Sequence, residues 1–317
     1  MACFYGVSGR NLQSQYKDFL SDFKAWDQKA HAKKWLVFPK NIGKRLSIDE
    51  TSLSNGELYT IVTNKSGKGR KGTIVAMVAG TKADTVISVI EKIPLRERNL
   101  VREITLDMAG NMGLIARKCF PNASRVTDRF HVQKLAIEAL QEIRIKYRWE
   151  AIDQENEAME RAKKTNVNFE SKTLHNGDTL KQLLARSRYF LYKNKSKWTS
   201  NQIERAALLF ELYPDIQKGY SLTQELRSIF ENTKDKIIGF AKLAKWHEKV
   251  NQSGFKSFNT ISRTIMNHYQ TILNYFDNRS TNASAESFNA KIKAFRSQFR
   301  GVRNIEFFLF RLTNIYA

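Results

Sequence analysis

The chain has 317 residues and carries 53 lysines and arginines against 31 aspartates and glutamates, a formal net charge of +22 with an isoelectric point near 9.9. Self-repulsion on that scale is tolerated most readily beside a polyanion, which puts nucleic acid first among partners and an anionic membrane surface well behind it. Two cysteines and five scattered histidines exclude a disulfide framework and a zinc knuckle, and no apolar run reaches the roughly 20 residues of a spanning helix. The expectation is a cytoplasmic protein, without a secretory leader, whose metal would be a hard cation held by carboxylate oxygen. The length allows one large domain with an insertion, or two domains.

Residues 11–27 place Leu12, Tyr16, Phe19, Leu20, Phe23 and Trp26 on one helical face, which predicts a packing helix followed by a basic, polar link up to Lys44. From Arg45 the period changes. Leu46 and Ile48 alternate with Ser47 in a strand that runs out at Asp49 and Glu50, and Leu58–Thr63 and Thr73–Ala79 are further β-branched runs. The turn NKSGKGRKG between the last two holds Lys65, Lys68, Arg70 and Lys71 without the spacing of a nucleotide-binding loop, so it reads either as a mobile basic hairpin tip or as a phosphate contact.

A helix over Asp84–Ile93 stops at Pro94. Next come a strand, Val101–Leu106, ending in Asp107, then a helix to Cys119, and a short strand, Arg125–Thr127, ending in Asp128. Strands alternating with helices predict an α/β sheet with parallel members, whose sites lie at the carboxyl ends of strands. From Val132 the strand signal vanishes. Helical spacing continues through the acidic run Glu150–Glu160, which reads as a solvated face, and through helices near 178–192, 200–212, 221–250 and 258–277. The expected organisation is an N-terminal helical segment and linker over 1–44, the first part of a core over 45–132, an all-helical insertion over 133–278, and a closing core segment over 279–317.

That last segment opens with an amphipathic helix over 278–303, which Asn282 or Ser284 can cap. Phe288, Ile292, Phe295 and Phe299 form its apolar stripe. Glu286, Asn289, Lys293, Arg296 and Arg300 recur at three- and four-residue steps on the other face, one carboxylate at the head of a basic track. Taken singly, Asp49, Asp107 and Glu286 are each explained as a turn acid or a cap. Together, in so basic a chain, they suit two divalent ions that activate a water or hydroxyl and stabilise the leaving oxygen of a phosphoryl displacement.

The blocks LSIDETS around Asp49, LDMAGNM around Asp107, TDRFHV around Asp128 and NASAESFNAKIKAFRSQFRGVRN around Glu286 resemble, in this order, those of bacterial insertion-sequence DDE transposases of the ISL-three type. The resemblance implies an RNase H-like catalytic domain interrupted by a large all-helical insertion. It assigns Asp49, Asp107 and Glu286 to the catalytic, metal-holding triad, with two Mg²⁺ (or Mn²⁺) ions as cofactor. Asp128 and His131 resemble a D-x-x-H element and become auxiliary catalytic candidates, with a capping aspartate and a structural histidine as the plainer reading. The DNA-binding candidates are Lys68, Arg70, Lys71, Asn289, Lys293, Arg296, Arg300 and Arg303; Asn289 could instead orient Glu286.

The implied partners are transposon-end and target DNA, and a second copy of the chain, since two ends must be paired. Family members commonly carry an N-terminal DNA-binding region that this sequence lacks. A separately encoded DNA-binding polypeptide, or a fragment of a longer protein, would account for that. The rival readings are an inactive transposase-derived DNA-binding protein and a structure-specific nuclease of RNase H type.

Overall fold

The computed structural model describes residues 6, 8–54, 57–298, 302 and 304–317, apart from the side chains of residues 10 and 54. The chain divides into two compact units, residues 1–128 with 279–317, and residues 129–278.

The first unit is built on a six-stranded sheet: β1 (Trp35–Val37), β2 (Arg45–Ser54), β3 (Glu57–Asn64), β4 (Ile74–Ala79), β5 (Glu103–Leu106) and β6 (Ser124–Thr127). Their order is β1-β4-β3-β2-β5-β6; β1 through β2 pair antiparallel, and β2, β5 and β6 pair parallel. Period-two alternation sends successive side chains to opposite faces. Leu46, Ile48, Ile104 and Leu106 join one core with helices α2 (Ala83–Ile90) and α4 (Gly110–Cys119). Leu36, Leu53, Tyr59 and Ile61 join the other, under α13 (Ala283–Gln298) and α14 (Ile305–Tyr316). A short α3 (Leu95–Arg98) leads into β5.

The second unit is helical: α5 (Arg129–Lys164), α6 (Leu180–Leu191), α7 (Ser200–Leu212), α8 (Pro214–Asn232), α9 (Lys236–Ser253), α10 (Lys256–Asn267), α11 (Tyr269–Leu273) and α12 (Tyr275–Asn278). Local signals place the helix ends. Thr179 and Gln182 form a reciprocal capping box on α6, Pro214 opens α8, and Gly254 closes α9 in the left-handed conformation. Its core includes Leu140, Leu183, Phe190, Leu209, Leu226, Trp246 and Phe258.

Several expectations need correcting. Helix α1 (Gly9–Gln15) continues only as a wide π-type turn to Leu20, because Ser21 is extended; Phe19 is 80% exposed. Of the expected apolar face, Phe23 and Trp26 pack inward against Phe307 and Phe310, while Tyr16, still 41% exposed, reaches the Phe307 ring. The link to Lys44 contains β1, which is too short for periodicity to reveal. Strand β2 runs on to Ser54, so Asp49 lies in mid-strand. The helix expected over 221–250 is broken where Asp235 caps α9, and that over 258–277 is three short helices. Helix α14 lies beyond the elements read from sequence.

Candidate active site

The parallel half of the sheet aligns the aspartates. Ser47 is in register with Thr105, an offset of 58 residues (105 − 47), and their hydroxyls are 2.8 Å apart. The same offset carries Asp49 to Asp107. Leu106 is in register with Thr127, an offset of 21 (127 − 106), which carries Asp107 to Asp128, and the Asp128 N–H donates to the Leu106 carbonyl at 2.9 Å. The three aspartates thus follow the paired segments of three neighbouring parallel strands, Asp107 and Asp128 directly after the last β5–β6 pair and Asp49 two residues after the last β2–β5 pair. Alternation from Leu46 and Ile48 puts Asp49 on the opposite face of β2, the one covered by α13.

Past Ser47 and Thr105 the pairing of β2 with β5 stops, which leaves backbone acceptors of β2 without a neighbouring strand. Helix α13 satisfies them with side chains seven residues apart. Buried Asn282 donates to the Ile48 carbonyl (3.2 Å), and the Asn289 amide donates to Asp49 Oδ2 (2.8 Å) and to the Glu50 carbonyl (3.2 Å). Arg296 donates to the Leu53 carbonyl (3.2 Å). Two turns of helix advance about 10.5 Å, close to three residues of strand, so the two elements run side by side. Glu286 stands four residues after Asn282 and three before Asn289, on the same side of the helix, and is exposed. The apolar stripe Phe288, Ile292 and Phe295 is buried beneath; Phe299 lies outside the described residues.

The carboxylates are already oriented. Asp49 Oδ1 accepts the Glu50 N–H at 2.9 Å, and Asp107 Oδ1 accepts the Ala109 N–H at 2.8 Å, which holds the turn into α4. Burial, and then the charge of Asp107, raise the pKa of Glu50 above the ordinary 4.5. Glu50 was not singled out by sequence reasoning; its adjacency to Asp49 was the available signal. Also unforeseen is a polar cluster under the start of α13. Glu103, 3% exposed, takes the Ser280 hydroxyl and a 3.8 Å ion pair from Lys65. Burial outweighs the pull of Glu103 and lowers the Lys65 pKa to about 8. The cue was a glutamate at an inward position of the apolar strand Glu103–Leu106.

Among the described residues no three His, Cys, Asp or Glu side chains already converge as a metal cluster. The donor chemistry nonetheless fits a hard cation: Asp49 and Asp107 are oxygen donors that follow the paired segments of neighbouring parallel strands. Asp128 is fully buried in the first unit, whereas half-buried His131 belongs to the first turn of α5 in the second.

The basic candidates divide. Lys68, Arg70 and Lys71 are exposed on a turn that is not a loose tip: Asn64 caps it, Lys291 of α13 donates to the Gly69 carbonyl at 2.8 Å, and the Thr73 N–H donates to the Tyr316 carbonyl. Gly69, at φ +68°, leaves the space in which the Lys291 ammonium sits. Lys293 is exposed, while Arg296 is half-buried with one nitrogen committed to β2. Asn289, expected on the phosphate track, turns its amide to Asp49 instead, because the unpaired edge of β2 offers it acceptors. Arg300 and Arg303 lie outside the described residues.

The sequence model of the ISL3 group of DDE transposases, described as "Transposase", matches residues 46–312. The chain belongs to the ISL3 family of DDE transposases. The match to this transposase family runs from the start of β2 into α14, so it takes in every element that carries an acidic candidate. The "Transposase for insertion sequence element IS1001" of Bordetella parapertussis is 22% identical over 271 residues, 84% of this chain and 59% of that protein. The chain thus spans about 59% of the length of this relative. Among the described residues no helix is long and apolar enough to cross a membrane.

Proposed function

We propose that this chain is the catalytic part of an insertion-sequence transposase, which cleaves DNA at the ends of its element and joins the freed 3′-hydroxyl to target DNA. The reading is supported most by Asp49 lying on β2 against the helix that bears Glu286, with Asp107 directly after the neighbouring parallel strand β5. The sheet order also suits an RNase H-like domain, in which the strands holding the first two acids are neighbours.

Asp49, Asp107 and Glu286 would hold two Mg²⁺ or Mn²⁺ ions. When bound, such ions lower the pKa of a water or hydroxyl and stabilise the leaving oxygen of an in-line phosphodiester displacement. The chain's own part is positioning. The Asn289 amide and the Glu50 N–H each occupy one Asp49 oxygen and fix the plane of its carboxylate, and the Ala109 N–H does the same for Asp107. Asn282 sets the height of α13 on β2, and with it the approach of Glu286. Both displacements pass directly between water or hydroxyl and phosphorus, so no nucleophilic side chain is required.

Lys68, Arg70, Lys71 and Lys293 are exposed and suited to phosphate contacts, which orient DNA without reading its sequence. Asp128 and His131 are proposed as auxiliary groups, His131 to position water or donate to a phosphate oxygen. Pairing of two element ends calls for a dimer, and end recognition for a DNA-binding region encoded separately or in a longer chain. The proposed place of action is the cytoplasm, on DNA.

The test is Asp107→Ala in assays of end cleavage and of joining a pre-cut 3′-hydroxyl end. Loss of both with DNA binding retained is expected. Persistence of either reaction sinks the assignment, and a wild-type protein that cuts but never joins is a nuclease instead.

A further inference from the structure

Helices α5 and α6 carry three guanidinium groups that form no ion pair among the described residues. Three other cations of α5 have partners one turn away: Lys134 with Glu138, Lys146 with Glu150, and Arg161 with Glu157. Arg144 and Arg148 have each other at that spacing, and no acid stands three or four residues from either of them or from Arg188. Arg144 is only 6% exposed. Its Nε donates to Gln141 Oε1 (2.6 Å) and its Nη1 to the Leu184 carbonyl (2.7 Å), one turn before Arg188 on α6. Arg148 thus stands one turn from Arg144 on α5, and Arg188 one turn from the α6 carbonyl that Arg144 holds. Their charges are felt there: after burial, Arg148 and then Arg188 push the Arg144 pKa down to about 10.

Arg148 Nε is buried and has no hydrogen-bond partner among the described residues, and neither Arg148 nor Arg188 has an ion pair among them. A buried N–H without an acceptor has lost its hydration without compensation, and crowded like charges add to that cost. An oxyanion between the guanidinium groups would remove both penalties, and their planar forks match the oxygens of a phosphate. Exposed Trp149 and Tyr189 adjoin the cluster, with the Arg188 guanidinium 5.9 Å from the Tyr189 ring centre.

We propose that Arg144, Arg148 and Arg188 form a phosphate-binding site on the helical unit that holds a backbone phosphate of DNA. The proposal rests on the reading of the chain as a DNA-processing protein. It places a DNA contact on a unit that holds none of the carboxylate triad.

The test is the affinity of the full chain for a duplex of fixed sequence, followed by fluorescence anisotropy across a salt series. R148Q and the exposed-site R188Q should each weaken binding and flatten the plot of log K against log salt concentration by about 0.9 for each phosphate no longer neutralised. K146Q, whose cation is already paired with Glu150, should leave the slope as it is. Wild-type slopes in both arginine variants, or an equal loss in K146Q, overturn the site and leave the transposase reading standing. A wild-type protein without salt-dependent DNA binding sinks both.

Discussion

Glu50, next to Asp49 on β2, is the acid of this region whose titration the fold shifts upward. Its folded-state pKa is raised, by burial first and by Asp107 second. Between about 4.5 and that raised value the unfolded chain has lost the proton that the folded chain keeps, so folding takes up a proton and stability falls as pH rises through the window. Above the window the penalty is constant; below about 4.5 it vanishes. Glu50→Gln has no such charge, so without divalent ions it should melt at a higher temperature than wild type at pH 7. The gap should close as pH falls below 4.5. A gap that stays constant over that range, or that never opens, would detach Glu50 from the carboxylate crowd.

At the scale of elements, the seam between α13 and β2 sets where the helix bearing Glu286 lies along the strand bearing Asp49. Asn289→Ala removes the amide from Asp49 Oδ2 and from the Glu50 carbonyl while leaving every acid in place. Outer partners of this kind are worth about 10–100-fold in metal affinity or activity. The expected outcome is a rise of that order in the Mn²⁺ concentration needed for half-maximal cleavage, with DNA affinity retained. An unchanged metal requirement would reduce Asn289 to packing. The same seam shows what sequence could convey. The carboxyl ends of β5 and β6 and the apolar stripe of α13 were legible, because alternation and helical spacing are local patterns. That Asn289 faces Asp49 was not, since it depends on β2 outrunning β5 and presenting unpaired acceptors, a fact about two strands 58 residues apart. Helix α1 misled for the complementary reason: its apolar residues recur at helical spacing, yet most face solvent, and the strand β1 that follows spans three residues.

Over the whole molecule, each unit closes its own core, the sheet unit around Leu46, Ile104 and Ile292, the helical unit around Leu140, Trp246 and Phe258. Independent cores imply separable unfolding, and one variant in each unit makes the implication testable. In the sheet unit, Asn282→Ala strands the Ile48 carbonyl at a fully buried position, at a cost of about 1–3 kcal/mol. In the helical unit, a Cβ at Gly239 would fall 2.7 Å from the Phe276 ring; overpacking of this kind costs about 1–3 kcal/mol, so Gly239→Ala should destabilise comparably. Scanning calorimetry should then resolve two transitions, one moved by Asn282→Ala and the other by Gly239→Ala. Mg²⁺ should raise only the transition that Asn282→Ala lowers, because ion binding stabilises the state that holds the ion and every proposed ligand lies in the sheet unit. A single transition that moves with either variant would mean that the units melt as one body, and an Mg²⁺ shift following Gly239→Ala would move the ion site out of the sheet.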